Sequence, residues 1–516
     1  MRRLLLIAAA GILAACAVGP SYKRPPEVTP APTWREPGGA YDSTRSFFDS
    51  VRVVADSAGR TAGDTARVTQ PYAEKITLPD SAQTMAWFDL LRDTTLQRLI
   101  TIALNENKDV QIALASVAEF RAQYGVAKGD FYPQLSANGT VGTNKVLVPT
   151  VGAVAGGSAS FDVWRATADL SWELDFWGRI RRSSQASKAD FLSQEEAQRA
   201  IVLTLVSDVA TTYLELRELD ANLAISRRTL DTRRESLKLA QHRYQQGLIS
   251  ELDVAQFESD VAAPAEQVAQ FTRAVALKEN QLSVLLGRNP AAIPRGRPLN
   301  ETLALIDIPA SVPSDLLERR PDVRQAEQAL AASTARIGIT IGDRLPKFMI
   351  TGYYGTQSPT VDNLFTSTSE IYSILGGVSI PLFTGGRLSK DVDIARARAD
   401  QARFAYERTV INAVQEAENA LAAVRTARDQ LVATAQQVNA LRRAVRLVNL
   451  RYDNGISNYL EVLDAQRGLF SAELNLTQAQ RFELVSTVQL YKALGGGWPV
   501  SPADSVSLQE TKLPGQ

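Results

Sequence analysis

An internal duplication limits what this 516-residue chain can fold into more than any other feature of its sequence. The segment RYDNGISNYLEV, which starts at Arg451, repeats RYQQGLISELDV, which starts at Arg243, 208 residues earlier. The same spacing continues without a gap to the Leu-Gly pairs that begin at Leu286 and Leu494. Because a match of this length without an insertion indicates two copies of one structural unit, each half can be interpreted through the other.

Residues 1–15 predict a secretory signal peptide. A short basic region, Met1 to Arg3, precedes an apolar stretch that is shorter than the ~20 residues a membrane-spanning helix needs. The stretch ends in Leu-Ala-Ala before Cys16, which is the only cysteine in the chain. This pattern resembles a bacterial lipobox, which implies cleavage before Cys16 and acylation of its thiol and new amino group, with palmitate among the acyl chains. An ordinary cleavage site with an incidental cysteine is the alternative.

An extended, lipidated arm is expected over residues 16–94. The segment from Pro20 to Pro79 is rich in Pro, Ser, Thr and Asp and has few large apolar side chains, which is typical of extended or partly disordered chain. We expect it to wrap the outside of the body. The whole sequence balances 56 basic against 56 acidic residues, which gives no indication of a nucleic-acid partner.

Each half predicts the same order of elements, namely one helix, two strands and two further helices. The first helix of each half ends at a glycine with a proline four residues later, at Gly129 and Gly342, which is a helix stop. The first repeat, 95–312, is predicted to contain helix 96–128, strands 131–147 and 159–177, helices 180–246 and 251–287 and an equatorial segment, 288–312. The second, 313–499, is predicted to contain helix 321–342, strands 345–357 and 367–383 and helices 388–454 and 458–494, before a C-terminal tail, 500–516.

Strict alternation over 162–176 predicts a strand with two different faces. Its even positions are apolar or aromatic, apart from Asp162, whereas its odd positions include Arg165, Asp169, Glu173 and Asp175. Such a strand, paired with 135–143 through a polar, Gly-rich loop, fits a transmembrane β-hairpin. Trp164, Trp172 and Trp177 are candidates for anchors at the membrane surface. A half-buried hairpin in a soluble domain is the alternative.

The number of strands predicts an oligomer. No stretch after the signal peptide could cross a bilayer as a helix, so any crossing must be a closed barrel. Four strands cannot close one, and eight from two chains would enclose an interior filled by side chains, whereas twelve from three chains leave room for water. The charged strand face therefore favours a trimer. The two longest helices, about 67 residues each, would extend roughly 100 Å and predict a helical tube below the barrel.

Several motifs together cover nearly the whole chain after the signal peptide. They are Leu13-Ala14-Ala15-Cys16 with Val18-Gly19-Pro20 and Tyr22, Glu173-Leu174-Asp175-Phe176-Trp177-Gly178-Arg179, Leu382-Phe383-Thr384-Gly385-Gly386-Arg387, both Arg-Tyr-x-x-Gly turns, and Ala493-Leu494-Gly495-Gly496-Gly497-Trp498. In these motifs the chain resembles the outer-membrane efflux channels typified by TolC, and more closely their lipoprotein branch, typified by OprM and NodT. Two features depart from the family pattern: the segment 44–79 is longer than the usual arm, and Pro264 lies inside a helix, which it should kink or locally open.

The resemblance implies an α+β membrane protein that forms a homotrimer. Its 12-stranded outer-membrane β-barrel, with four strands from each chain, would continue into a long periplasmic α-barrel of 12 helices. The chain would lie in the outer membrane of a Gram-negative bacterium, lipid-anchored and in contact with outer-membrane lipid, with a long periplasmic extension.

The resemblance also implies a function, the outer-membrane channel of a tripartite efflux system. The channel would be a passive exit duct for small molecules such as drugs. A periplasmic adaptor (membrane fusion) protein and an inner-membrane pump of the RND type would open it at its periplasmic tip. The alternatives are the exit duct of a type I protein secretion system and, outside the family, a periplasmic coiled-coil lipoprotein tether without a pore.

The candidate gate lies at the turns between long and shorter helices, which mark the tip of the tube. Glu461 and Asp464 are three residues apart and share a helix face. The resemblance turns this face towards the narrow entrance, where three chains would form two rings of carboxylates. Asp253, Tyr452 and Ser457 are expected to hold neighbouring turns together. The family commonly has a basic residue where this chain has Ser457, which argues against an ionic latch there.

The same turns are the expected docking surface for the adaptor. Gly247 and Gly455 suit the left-handed conformation of a tight turn, and the apolar residues Leu248 and Ile456 follow them. These four residues are the predicted adaptor-docking tips.

The sequence argues against an enzyme. His242 is the only histidine, and no Gly-rich phosphate loop, nucleophile motif or Cys/His metal spacing is present. We expect neither a metal site nor a cofactor.

Overall fold

The computed structural model describes residues 17–24, 75–76, 93–148, 157–301, 305–306 and 319–496. The predicted signal peptide, Cys16, most of the arm and the C-terminal tail lie outside these residues. The helices are α1 (Thr94–Glu106), α2 (Lys108–Gly129), α3 (Arg179–Gln245), α4 (Glu251–Leu285), α5 (Pro321–Gly342), α6 (Arg387–Asp453) and α7 (Tyr459–Ala493). The strands are β1 (Lys75–Ile76), β2 (Gln134–Val148), β3 (Gly157–Leu174), β4 (Leu305–Ile306), β5 (Lys347–Ser358) and β6 (Glu370–Ser379). Within the described part of the chain, no helix is both long and apolar enough to span a membrane.

Two compact units make up the chain, and both draw on both sequence repeats. The first unit lies within 17–24, 115–195 and 325–408, and the second takes most of the remaining residues, including the ends of the long helices. The repeat in the sequence is therefore not the unit of the tertiary structure, because elements of one half pair with elements of the other.

A four-stranded antiparallel sheet forms the centre of the first unit. Its strand order is β2-β3-β5-β6, so the two hairpins of the two repeats meet at the β3–β5 pair. The register places Leu170 opposite Leu135 on one side and Gly352 on the other, whereas Asp169 lies opposite Ser136 and Tyr353. Since side chains alternate across a strand, Leu135, Leu170 and Ile374 share one face, and Asp169 lies on the other. The remaining pair, β1 with β4, is parallel and belongs to the second unit.

Strand β3 ends at Leu174, three residues before the predicted end at 177. Asp175 has left the sheet, and its carboxylate accepts hydrogen bonds from the backbone N–H groups of Ile180 (3.1 Å) and Arg181 (2.8 Å). Its assignment to the charged strand face was therefore wrong, because an aspartate at this position caps the first turn of α3. Glu173 stays in the strand and binds the Arg179 guanidinium through both oxygens, each at 2.9 Å.

The predicted helix 96–128 is two helices, separated at Asn107. Asn107 has extended backbone angles, and its side-chain oxygen accepts hydrogen bonds from the N–H groups of Asp109 (2.8 Å) and Val110 (3.2 Å), which starts a new helix. The side-chain nitrogen donates to the carbonyl of Leu285, at the end of α4, at 2.9 Å.

In the second repeat, a different side chain joins the start of α5 to the end of α7, as Asn107 joins α2 to α4. Arg320, immediately before α5, donates to the carbonyl of Ala493, at the end of α7, at 2.9 Å. It also forms ion pairs with Asp322 and Glu416. Strand β6 likewise ends earlier than predicted, at Ser379 rather than 383, since Pro381 has no N–H to donate to a ladder.

The two longest helices, α3 (Arg179–Gln245) and α6 (Arg387–Asp453), are 67 residues each, and we call them rods. Each rod is followed by a 35-residue helix. Helix α4 continues through Pro264 as one helix, although Pro264 has no N–H to donate to the carbonyl four residues earlier. The main apolar core of the second unit lies around Tyr213 and Leu214 of α3 and Ile100 of α1.

A buried tyrosine joins three segments of this core. The Tyr213 hydroxyl donates to the Asp93 carboxylate at 2.9 Å and accepts from the backbone N–H of Gly296 at 2.8 Å. Asp93 also caps α1 through the N–H of Thr95. Burial and the nearby Asp93 charge raise the pKa of Tyr213, so its hydroxyl stays protonated and can donate.

We expect Tyr213→Phe to lower the free energy of unfolding by ~1–3 kcal/mol, because a buried carboxylate oxygen and a buried N–H both lose their partner. Thermal unfolding in detergent measures this. Tyr244→Phe, which changes an exposed tyrosine of the same helix, is the control and should shift the midpoint little. Equal midpoints for the two variants would contradict the role of the Tyr213 hydroxyl.

Candidate functional site

The two Arg-Tyr-x-x-Gly segments have the same backbone geometry. Gly247 and Gly455 both have a φ of 71°, in the left-handed region that glycine adopts without strain. In each segment the N–H of the glycine and the N–H of the next residue bond to the carbonyls of the preceding tyrosine and arginine. These bonds are Gly247 to Tyr244 (2.8 Å), Leu248 to Arg243 (2.9 Å), Gly455 to Tyr452 (2.9 Å) and Ile456 to Arg451 (2.8 Å). The duplication therefore produces two identical helix ends.

Each turn continues into a capped helix. Ser250 and Asp253 form a reciprocal capping box, in which Asp253 accepts from the Ser250 N–H (2.9 Å) and hydroxyl (2.7 Å). These hydrogen bonds hold the pKa of Asp253 below its usual range. In the second turn Asn458 caps α7 by accepting from the Glu461 N–H at 3.1 Å. Asp253, predicted to join neighbouring turns, thus has its carboxylate engaged at the start of its own helix.

Both turns expose a pair of large apolar side chains. Leu248 and Leu252 are more than half exposed on the first turn, as are Ile456 and Leu460 on the second. Leu252 and Leu460 were not among the predicted docking residues, although the 208-residue spacing aligns them as it aligns Leu248 with Ile456. Isolated apolar residues on a surface are common, but two equivalent pairs at two helix ends indicate a contact surface.

Tyr452 contacts the other repeat. Its hydroxyl accepts a hydrogen bond from Arg243 at 2.7 Å, and the Arg243 guanidinium lies 5.7 Å from the centre of its ring. The Tyr452 ring also meets Tyr459 edge-on at 5.8 Å, and Tyr459 stacks on Phe257 at 3.9 Å. This chain of contacts links α3, α6, α7 and α4. Arg243 and Phe257 were missed by the sequence reasoning, although Arg243 opens the repeated motif.

An ion pair between a buried carboxylate and an exposed arginine lies one turn further along α4. Asp260 is almost fully buried, and its Oδ1 accepts from the Nε (3.2 Å) and Nη2 of Arg467, on α7. Among the described residues, Asp260 Oδ2 and the Nη1 of the buried Arg233 have no hydrogen-bond partner. Pro264, four residues after Asp260, has no N–H, so the Asp260 carbonyl also lacks its helical partner. This pair was not predicted, because nothing in the local sequence distinguishes Asp260 from a solvated helix carboxylate.

The predicted carboxylates of the gate lie near the second turn and are exposed. The Glu461 carboxylate is 4.0 Å from the Arg451 guanidinium, so part of its charge is offset within the same chain. Asp464 is exposed one turn further along α7. The Ser457 hydroxyl is buried and, among the described residues, has no hydrogen-bond partner.

Two further predictions concern Cys16 and metal binding. Cys16 lies outside the described residues, and the chain is first described from Ala17. Across the described ranges, no group of three or more His, Cys, Asp or Glu side chains is arranged to hold a metal ion.

The model of one protein family, described as "Outer membrane efflux protein", matches residues 99–288 and 312–496. Among curated proteins, the toluene efflux pump outer membrane protein TtgI of Pseudomonas putida is 37% identical over 414 residues, which cover 80% of this chain and 87% of that protein. The probable efflux pump outer membrane protein TtgC of Pseudomonas putida is 33% identical over 497 residues, 96% of this chain and 95% of the relative. The cation efflux system protein CusC of Escherichia coli is 32% identical over 420 residues, 81% of this chain and 90% of CusC.

Solved structures agree with these sequences. The fold matches a crystal structure of CusC with a TM-score of 0.76 at 28% identity, over 93% of this chain and all of the other. It matches the outer-membrane channel OprN with a TM-score of 0.78 at 26% identity, over 94% of this chain and all of OprN.

The contribution of the Asp260–Arg467 pair to stability can be tested by substitution. We expect Arg467→Ala to destabilise the chain by ~1–3 kcal/mol, because the buried Asp260 carboxylate loses a hydrogen-bond partner. The double variant Asp260→Asn/Arg467→Ala should lose less, since the buried side chain at position 260 is then neutral. Thermal unfolding of the purified protein measures both.

The matched control is Arg234→Ala. It removes an exposed arginine of α3 whose guanidinium lies 4.0 Å from the carboxylate of Asp231, also on α3. We expect a loss within ~0.5 kcal/mol for this variant. If Arg467→Ala behaved like Arg234→Ala, the Asp260 carboxylate would not depend on Arg467.

Proposed function

Since this chain belongs to the outer membrane efflux protein family, we propose that it is the passive exit duct of a tripartite efflux system. The family consists of outer-membrane channel proteins, so the chain is not an enzyme. The proposed complete assembly contains a homotrimer of this chain, a periplasmic adaptor and an inner-membrane pump of the RND type. The duct is in the outer membrane of a Gram-negative bacterium.

The two outer strands of the sheet are the observation that carries this proposal. Among the residues that the structure describes, strands β2 and β6 each pair on one side only, and their other edges offer unpaired backbone groups. The four strands alternate in direction, so β6 of one copy can pair with β2 of the next in the same antiparallel manner. Three copies then close a 12-stranded barrel wide enough to hold water.

The faces of the sheet support the same arrangement. Leu135, Tyr372 and Ile374 are at least three-quarters exposed on the apolar face, which suits contact with lipid. On the opposite face, the Arg165 guanidinium lies over the Tyr353 ring at 4.4 Å, and Asp169 accepts a hydrogen bond from Asn138 at 2.7 Å. Charged side chains suit a water-filled interior.

The tryptophans support a membrane boundary at the helical end of the sheet. Trp172 donates to the Phe131 carbonyl at 3.0 Å and Trp177 to the Pro346 carbonyl at 2.8 Å, close to where the strands end. Indole side chains prefer this interfacial level. Acylation of Cys16 would add a lipid anchor, since Ala17, the next residue, contacts Gly178 just after Trp177.

We propose that the two turns are the periplasmic tip and that the adaptor docks there. The docking surface comprises Gly247, Leu248, Gly455 and Ile456, and the exposed Leu252 and Leu460 extend it. Apolar side chains at helix ends fit an apolar face of an adaptor helix.

The entrance would be narrowed by rings of Glu461 and Asp464. Carboxylates ~6 Å apart repel by ~3 kcal/mol at an effective dielectric constant of 20, so the closed state needs other contacts to hold it. Tyr452 with Arg243 and Asp260 with Arg467 supply such contacts within a chain. Ser457 and Asp253 lie at the same turns and are proposed to help hold the entrance closed, with adaptor binding opening it.

The pump, in this proposal, selects the cargo. The names of the relatives refer to toluene for TtgI and to cations for CusC, although both are more than 30% identical to this chain. A shared duct with different cargoes is expected if the duct itself is passive. These names all refer to efflux pumps or systems, which favours efflux over protein secretion.

Reconstitution of the purified chain into planar bilayers tests the duct. We expect a trimer that resists mild detergent and gives channel conductance after insertion. A monomer with no conductance and no β-sheet signal in circular dichroism would contradict the proposal.

Glu461→Gln/Asp464→Asn tests the entrance rings. We expect the preference for cations over anions to fall roughly threefold, because the rings supply the negative charge at the narrowest point. Glu258→Gln, which neutralises an exposed carboxylate on α4, is the control. Unchanged ion preference and unchanged block by divalent cations would remove the rings from the mechanism.

A further inference from the structure

Residues 17–24 lie along the first unit with contacts over nearly their whole length. The Val18 N–H donates to the Trp177 carbonyl at 2.9 Å. The mostly buried Arg182 donates to the carbonyls of Val18 (3.2 Å) and Gly19 (3.0 Å). We call residues 17–24 the strip. These bonds hold the start of the strip against the connection between β3 and α3.

Glycines allow this strip to lie directly on the backbone beneath it. A Cβ at Gly19, whose φ is 96°, would lie 2.5 Å from the Gly338 Cα of α5. A Cβ at Gly338 would meet the Val18 carbonyl oxygen at 2.9 Å, and one at Gly178, whose φ is 74°, would meet the Ala17 Cα at 2.8 Å. A glycine inside a helix costs ~1 kcal/mol relative to alanine, so Gly338 has a packing reason to be there.

The far end of the strip is held by a clamp around Glu327. The Tyr22 ring packs against Ala189, Ala331 and Ala332, and its hydroxyl donates to Glu327 at 3.0 Å. Burial and the Glu327 charge raise the pKa of Tyr22, which keeps this donor protonated.

Arg24 completes the clamp. Its Nε and Nη2 donate to the two oxygens of Glu327 at 2.9 and 2.7 Å. A bidentate guanidinium–carboxylate pair fixes direction as well as distance. The strip is therefore attached at both ends.

We propose that Ala17–Arg24 is a rigid mount that positions the acyl anchor at the helical end of the sheet, beside Trp172 and Trp177. This inference rests on the proposed function, in which Cys16 is acylated and the sheet crosses the outer membrane. Gly19, Gly338, Arg182, Tyr22, Arg24 and Glu327 are its positioning residues. The acyl chains then set the depth at which the strands insert, in addition to retaining the chain at the membrane.

The mount restricts the positions that the acyl anchor can reach relative to the sheet. A flexible tether of n residues lets its end wander by ~5–6 Å × √n, whereas consecutive Cα atoms are only ~3.8 Å apart. With Ala17 seated on Gly178, the anchor is joined to the body through a single peptide bond. The mount thus keeps the lipid and the membrane-crossing strands at one level and raises their effective concentration for insertion.

The test compares insertion rates of the full-length chain into phosphatidylethanolamine/phosphatidylglycerol vesicles, followed by the appearance of detergent-resistant trimer. Arg24→Glu reverses an exposed charge of the strip and breaks its pair with Glu327 of α5. In the acylated chain we expect it to slow insertion about fivefold, by weakening a charge-assisted pair. The swap Arg24→Glu/Glu327→Arg should restore the rate, because it restores the pair. Arg336→Glu, which breaks the α3–α5 pair of Arg336 with Asp190 without touching the strip, should leave the rate unchanged.

The Cys16→Ser background separates a mount from an ordinary stabilising contact. Without acyl chains, Arg24→Glu should slow insertion no further, since there is no anchor to position. An equal slowing in both backgrounds, or none in the acylated chain, would overturn the inference. Failure of the proposed function is distinguishable, because mass spectrometry would then show an unacylated Cys16 or the wild-type trimer would not conduct.

Discussion

The hydrogen bonding between β3 and β5 is the interaction on which the rest of this structure depends. It joins hairpins from two sequence repeats into one sheet, from Trp164–Ser358 to Leu174–Phe348. Backbone groups in a membrane must all be paired, so a sheet that crosses one must find partners on both edges. The pairing of the repeats satisfies the inner edges of the hairpins and leaves β2 and β6 to find theirs in other copies. The need for more than one copy in the proposed duct follows from these two edges, and the choice of three copies follows from the room for water inside the barrel.

The two repeats share a backbone and differ in their side-chain contacts. Both long helices end in the same hydrogen-bonded glycine turn, which local sequence specifies completely. The contacts that join the turns are not symmetric, because Arg243 and Asp260 come from the first repeat and their partners Tyr452 and Arg467 from the second. The two similar helix–turn–helix segments therefore differ in the side-chain contacts that they contribute.

A feature could be predicted from the sequence when the residues that determine it are close together in the chain. The periodicity of 3.6 or 2 and the glycine and proline signals act over a few residues, so the order of the helices and strands could be predicted. The break at Asn107 was missed because an asparagine inside an apolar helical pattern is a weak signal until its side chain finds the Leu285 carbonyl. Asp175 was assigned to the strand because alternation continues through it, although its carboxylate is needed to cap α3.

By itself, the sequence determined the duplication, the rods, the alternating faces of the sheet and the two glycine turns, since each of these is encoded by neighbouring residues. Only the tertiary structure decided that Tyr452 meets Arg243, 209 residues away, and that Arg467 pairs with Asp260, 207 residues away. It also decided that Gly19 lies on Gly338 and Arg24 on Glu327. The reason is physical: a side chain's partner across a helix interface depends on how entire helices pack, and no local pattern contains that information.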